Sequence, residues 1–205
     1  MSIDFSYDES EVLRELMNIA FGQAAADLSD LLDQLIGISV PGLSVMGPLD
    51  FRNHLIKMVE PIESLTISEQ SFSGMMKGTG FLIFTDETPK RLCMLLNGEE
   101  PSQDDESILD STLIEVTNLV VGACLGKMMD LLKEKISFSH PGIMLKHNPM
   151  IPLEFFKKND TQMIVLNARF TIQNEAIKGY LFLACSEYSI DWLKASMNQF
   201  MADYI

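Results

Sequence analysis

The chain repeats itself, and that limits its folds more than any other feature. Residues 15–32 read ELMNIAFGQAAADLSDLL and residues 115–132 read EVTNLVVGACLGKMMDLL. At a spacing of 100 residues, Glu15 aligns with Glu115, Asn18 with Asn118, and Gly22 with Gly122. Asp30-Leu31-Leu32 aligns with Asp130-Leu131-Leu132, and Pro41-Gly42 with Pro141-Gly142. GFLIF (80–84) resembles GYLFL (179–183) at a spacing of 99. Matches in this order indicate two copies of one unit about 100 residues long. Two copies are too few for a solenoid. The expected form is one pseudo-symmetric domain over 1–205, with repeats at approximately 1–100 and 101–205. GEEPSQDDES (98–107) joins glycine and proline to solvated charge and reads as the connector.

Residues 9–36 carry apolar side chains at Val12, Leu13, Leu16, Ile19, Ala20, Ala24, Leu28, Leu31 and Leu35, a helical spacing, with Gly37 as the expected stop. Residues 107–135 repeat the pattern, with Ser107 as a candidate N-cap. A Pro-Gly turn follows each long helix. Strands are then expected at 43–50, 54–60, 64–73 and 76–85, and at 143–147, 162–173 and 176–186, with hairpin turns near Gly74 and Asn174-Glu175. Shorter helices close the copies near 87–97 and 187–203. The fold class is therefore α+β: a pseudo-two-fold repeat with two long helices packed on an antiparallel-rich β-sheet, plus shorter helices.

Composition narrows the function. Fifteen Lys and Arg against 29 Asp and Glu give a net charge of −14, which disfavours nucleic acid as a partner. The three cysteines, Cys93, Cys124 and Cys185, form no metal or disulfide spacing and fit a reducing cytoplasm. The N-terminal segment lacks the basic and apolar regions of a signal peptide. No uninterrupted apolar run approaches 18 residues, so no membrane partner is expected.

The long helices carry one polar stripe each. Ser111, Glu115, Asn118 and Gly122 share a face, as do Glu11, Glu15, Asn18 and Gly22. A single Glu-x-x-Asn reads most simply as a solvated helix face. Asn is a mediocre helix former, however, and an interior Gly costs about 1 kcal/mol against Ala. Their recurrence at equivalent positions points to a surface that something approaches closely.

These residues resemble the CheC-type phosphatases of bacterial chemotaxis, a family that includes CheC, CheX and the phosphatase part of FliY. The family signature is Asp or Ser, three residues, Glu, two residues, Asn, twenty-two residues, Pro. The second copy fits it at Ser111, Glu115, Asn118 and Pro141. The first fits at Glu15, Asn18 and Pro41, with Glu11 in place of the Asp or Ser. Two sites in one chain, with no flagellar-switch segment after them, look most like CheC. The resemblance implies hydrolysis of the aspartyl-phosphate of a CheY-like response-regulator receiver. Asn18 and Asn118 would position water, and Glu15 and Glu115 would dock the receiver. Glu11, Ser111, Gly22 and Gly122 would support them. It implies no cofactor in this chain, Mg²⁺ being carried by the receiver. The alternative is a non-catalytic module of the same fold that binds a receiver or CheD.

The remaining signals are structural. Pro41 and Pro141 are read as fixing the helix-to-strand turns. With a helix reaching residue 36, Pro41 lies too far along the chain to touch Asn18. His54, His140 and His147 lack a metal-ligand pattern. Ser139-His140 is adjacent without being a nucleophile–base pair. GMMKGTG (74–80) reads as a hairpin, and Phe155-Phe156-Lys157-Lys158 as a surface loop.

Overall fold

Ser6 starts the first helix. Its hydroxyl accepts a hydrogen bond from the Glu9 N–H at 3.2 Å, and the Glu9 carboxylate accepts one from the Ser6 N–H at 2.7 Å. This reciprocal cap places α1 at Tyr7–Leu32. The computed structural model describes residues 5–59, 65–85, 87–98, 106–146, 163–172 and 177–204. The rest of the connector, the turn at 174–175, His147 and residues 155–158 lie outside them.

Both long helices end earlier than their apolar spacing suggests. Asp33 turns left-handed at φ 50°, and its N–H bonds the Ser29 carbonyl. Gly37 is therefore no helix stop; it lies inside β1 (Ile36–Met46). The second long helix is followed by a left-handed Lys133, at φ 58°. Counted in chain order, α2 (Pro48–Val59), β2 (Leu65–Gly74), β3 (Gly78–Thr85) and α3 (Thr88–Asn97) complete the first copy. The second copy comprises α4 (Glu106–Leu131), β4 (Ile136–Phe138), β5 (Gly142–Leu145), β6 (Met163–Ile172), β7 (Ile177–Ser186) and α5 (Glu187–Tyr204). Ser107 sits within α4 rather than capping it.

The strands of both copies form one sheet in the order β1-β6-β7-β3-β2-β4, with β5 also on β2, and every pairing is antiparallel. Leu82 pairs with Leu181, and these occupy equivalent places in the two copies. A local two-fold axis therefore passes between β3 and β7 at this pair. The first strand of each copy pairs with the second strand of the other: β1 with β6, and β4 and β5 with β2. The helices α1 and α4 lie together on one face of the sheet. Their Leu16, Ala20, Phe21, Val121, Cys124 and Leu125 are buried in one core with Leu82, Phe170 and Leu181. Asp27 of α1 and Lys127 of α4, equivalent positions, form an ion pair at 2.6 Å.

The opposite face corrects a strand expectation. Residues 54–60 were expected to be extended, and 43–50 a strand throughout, yet Pro48 opens a helix. Its fixed φ suits the first helical turn. Phe51 and Leu55, four apart, turn one face onto Ile67, Phe81, Val165 and Phe182. The Phe51 ring lies 6.0 Å from Phe81 and 5.8 Å from Phe182, centroid to centroid.

A Pro-Gly turn was expected at residues 41–42, but Pro41 falls inside β1, where the pairing with β6 shifts register between Ser39 and Gly42. In the second copy the equivalent strand is broken outright into β4 and β5, with buried Pro141 between them. Proline cannot donate to a ladder, so both copies are irregular at the same place.

By length and composition α4 alone among the described helices could cross a membrane. Ten of its residues, from Thr112 to Met129, are buried within the fold, which accounts for its apolar character.

Phe51→Ala should lower unfolding free energy by about 3–5 kcal/mol, as measured by urea denaturation, because it empties the centre of the α2 contact. A loss under about 1 kcal/mol would mean that α2 does not pack on the sheet.

Candidate functional site

On α1, Leu13, Leu16, Met17, Ala20 and Phe21 turn inward and leave Glu15, Asn18 and Gly22 exposed, with Glu11 half-buried. On α4, Leu113, Val116, Thr117, Val120 and Val121 turn inward and leave Ser111, Glu115 and Asn118 exposed and Gly122 half-buried. Both predicted stripes thus lie on the outward face of the helix layer. The first stripe residues are occupied within their own helices. Glu11 is ion-paired with Arg14, and the Ser111 hydroxyl donates to the Ile108 carbonyl at 2.9 Å. Among the described residues Glu15 and Glu115 have no cationic partner.

A β-carbon added at Gly22 or Gly122 would meet nothing within 4 Å. Packing within the chain therefore does not require either glycine. Their effect is to keep the helix surface low beside the two asparagines.

Beneath the stripes the copies differ. Gln70 pairs with Gly80 and Phe170 with Gly179, so Gln70 and Phe170 are equivalent across the two-fold. The equivalent row on β6 is Leu166, Ala168 and Phe170, all buried in the core that α1 shares. Phe170 lies over Gly179 so closely that a β-carbon there would overlap its ring. Under α4 the row on β2 is Thr66, Ser68 and Gln70, also buried. Ser68 hydrogen-bonds Thr117, whose hydroxyl also donates to the Leu113 carbonyl at 2.6 Å.

Gln70 is 1% exposed. Its Nε2 donates to Asn118 Oδ1 at 2.8 Å and to the Ser139 carbonyl at 2.9 Å. The Oε1 of Gln70 is buried with no partner among the described residues. The Asn118 Oδ1 is thus held from below, while Asn18 has no side-chain hydrogen bond among the described residues. Sequence reasoning missed Gln70 and Ser139. The available signal was polar Ser68 and Gln70 at alternate positions of a strand whose next residue on that face is Phe72.

The signature proline also connects to this site. Ser139 and Pro141 belong to the same break between β4 and β5. The chain there returns to within two hydrogen bonds of Asn118. The earlier helix end and the extended return of β4 make this reach possible.

Other candidates stay structural. His140 is exposed, and His54 packs edge-on to Phe182 at 6.4 Å on the opposite face of the sheet. No group of three metal-ligating side chains occurs among the described residues. Residues 74–80 form the β2–β3 hairpin and the start of β3. Cys93, Cys124 and Cys185 are free and buried, and burial pushes the Cys185 thiol up to about 12.

Gly122→Ala and Gly22→Ala should each stabilise the fold, by up to about 1 kcal/mol, since the added methyl meets open space and favours helix. Thermal unfolding checks this; a lower Tm would show that the backbone at these positions needs glycine.

Residues 9–45 match the model of the CheC-like family. The chain is 25% identical over 145 residues to the flagellar motor switch phosphatase FliY of Bacillus subtilis, an alignment that takes in 69% of this chain and 37% of that protein. It therefore spans little more than a third of that relative. The fold is similar to Thermotoga maritima FliY, with TM-score 0.72 and 18% identity over 96% of this chain and 98% of that one. It is also similar to the FliM middle domain of H. pylori, with TM-score 0.59 and 14% identity over 94% and 99%. A third likeness is to a CheX–CheY–BeF3–Mg complex from Borrelia burgdorferi, with TM-score 0.52 and 18% identity over 82% and 97%. The match of residues 9–45, the FliY relative and the shared fold make the chain similar to the CheC-type proteins.

Proposed function

We propose that the chain is a cytoplasmic phosphatase of chemotaxis signalling that hydrolyses the aspartyl-phosphate of a CheY-like receiver. The observation that carries this reading is the pair of Glu-x-x-Asn-x-x-x-Gly stripes, Glu15-Asn18-Gly22 and Glu115-Asn118-Gly122, on one exposed face. The CheY-bound state of the CheX relative supports the choice of partner.

An acyl phosphate is labile, and hydrolysis needs a water in line with phosphorus. The amide of Asn118 or Asn18 offers a donor and an acceptor and orients that water without acting as a strong base. The water oxygen bonds to phosphorus as the bond to the aspartyl oxygen breaks. The carboxylate is regenerated and inorganic phosphate leaves. Glu115 and Glu15 pair with a receiver lysine and set the register of the helix. Mg²⁺ arrives with the receiver. The second copy, which carries the full signature, does most of the turnover.

The FliM-like fold favours a second reading, a non-catalytic adaptor for a receiver or CheD. Phosphate release separates the two. With a phosphorylated receiver, Asn118→Ala should lower kcat/KM by about 10²-fold, with a smaller loss for Asn18→Ala. Full activity in the double variant sinks the phosphatase assignment, and binding without release supports the adaptor.

Docking has its own test. Glu115→Lys should weaken binding to a beryllofluoride-loaded receiver by about tenfold, and added salt should weaken the unaltered protein's binding. Unchanged affinity in both Glu15→Lys and Glu115→Lys would exclude the ion pair.

A further inference from the structure

We infer that Gln70 is a positioning residue that holds the Asn118 amide ready for water, and that its replacement by Phe170 in the other copy leaves Asn18 without this support. The inference deepens the phosphatase reading and rests on it for its turnover readout.

Three observations converge. First, Gln70 Nε2 bridges Asn118 Oδ1 and the Ser139 carbonyl, at 2.8 and 2.9 Å. A carbonyl only accepts, so Ser139 fixes which end of the glutamine amide faces Asn118. Asn118 must then present its oxygen to Gln70, and its Nδ2 remains available on the exposed side of the helix. Second, the break at Pro141 releases that carbonyl. Ser139 N–H donates to the Ser71 carbonyl at 2.9 Å, but Ser71 N–H goes to the Ser139 hydroxyl at 3.1 Å instead of its carbonyl. The hydroxyl takes over a ladder bond, and the freed carbonyl accepts from Gln70. Third, Gln70 is nine-tenths or more buried with its Oε1 unpartnered, at a position the other copy fills with phenylalanine. An apolar residue is the more stable choice there, so packing does not explain glutamine.

Gln70→Met keeps the side-chain length and gives the apolar bulk that the buried position accepts. With a CheY-type receiver phosphorylated by acetyl phosphate and Mg²⁺, it should lower kcat about tenfold and leave KM within twofold. In an Asn118→Ala background it should cause no further loss, because the effect runs through Asn118. The Tm should be equal or higher. The side-chain amide NMR signals of Asn118 should shift and those of Asn18 should not. Gln70→Glu is the companion variant: protonated glutamic acid can donate to only one of the two acceptors, so it should also lose kcat without losing receiver affinity. Unchanged kcat in both variants overturns the inference, as does an equal loss in the Asn118→Ala background. If the unaltered protein releases no phosphate, the phosphatase reading fails by itself. The NMR shift then decides for or against Gln70 holding Asn118.

Discussion

The antiparallel pairing of β3 with β7, centred on Leu82 and Leu181, is the contact from which the rest of the architecture follows. It turns two sequential copies into a single sheet. It also sends the first strand of each copy across to the other, so neither copy has a complete sheet alone. With both long helices on one face, the two-fold axis must stand normal to the sheet, which makes α1 and α4 antiparallel. Equivalent residues Asp27 and Lys127 meet near that axis. Asn18 and Asn118 each lie nine residues away in opposite directions, so they are about 27 Å apart along the helices. The symmetry that creates two stripes also separates their asparagines.

Perfect symmetry would be unfavourable in two places. At Asp27 and Lys127 it would set like charges together, and the sequence instead places opposite ones, which raises the Lys127 pKa, chiefly through the hydrogen bond to Asp27. Under the helices it would duplicate either the polar row or the apolar one. An unpartnered buried amide oxygen costs about 1–3 kcal/mol, and a buried phenylalanine contributes about 1.5–3 kcal/mol. One polar row and one apolar row lets the α1 side stabilise the domain while the α4 side keeps hydrogen-bonding groups beneath its stripe.

Much of this was legible in the sequence. The repeat gave the pseudo-two-fold, and the 3.6-residue apolar spacing placed Glu15, Asn18, Glu115 and Asn118 outward. Helix ends were not legible, because Leu35 and Ile36 continue the apolar spacing while Asp33 and Lys133 turn left-handed by local choice. Helix α2 was mistaken for a strand because its apolar residues, Leu49, Phe51, Leu55, Ile56, Met58 and Val59, do not keep to one helical stripe, and the contact face rests chiefly on Phe51 and Leu55. Gln70 was out of reach for another reason. Its meaning depends on which strand lies under α4, and that follows from the sheet order rather than from local pattern.

Pro141 shows how a signature residue can act without touching the asparagine it accompanies. Proline interrupts the ladder because it has no N–H to give. In the first copy β1 absorbs the interruption as a register shift and runs on beside β6. In the second copy the strand breaks, and β4 and β5 pair with β2 on either side of residues 139–141. Among the described residues, only there does a serine hydroxyl replace a backbone acceptor while the facing strand carries a side chain that uses the carbonyl set free. The same proline therefore has different consequences in the two copies. What decides between them is the partner strand, Gln70 on β2 or Phe170 on β6, and not the helix that carries the asparagine.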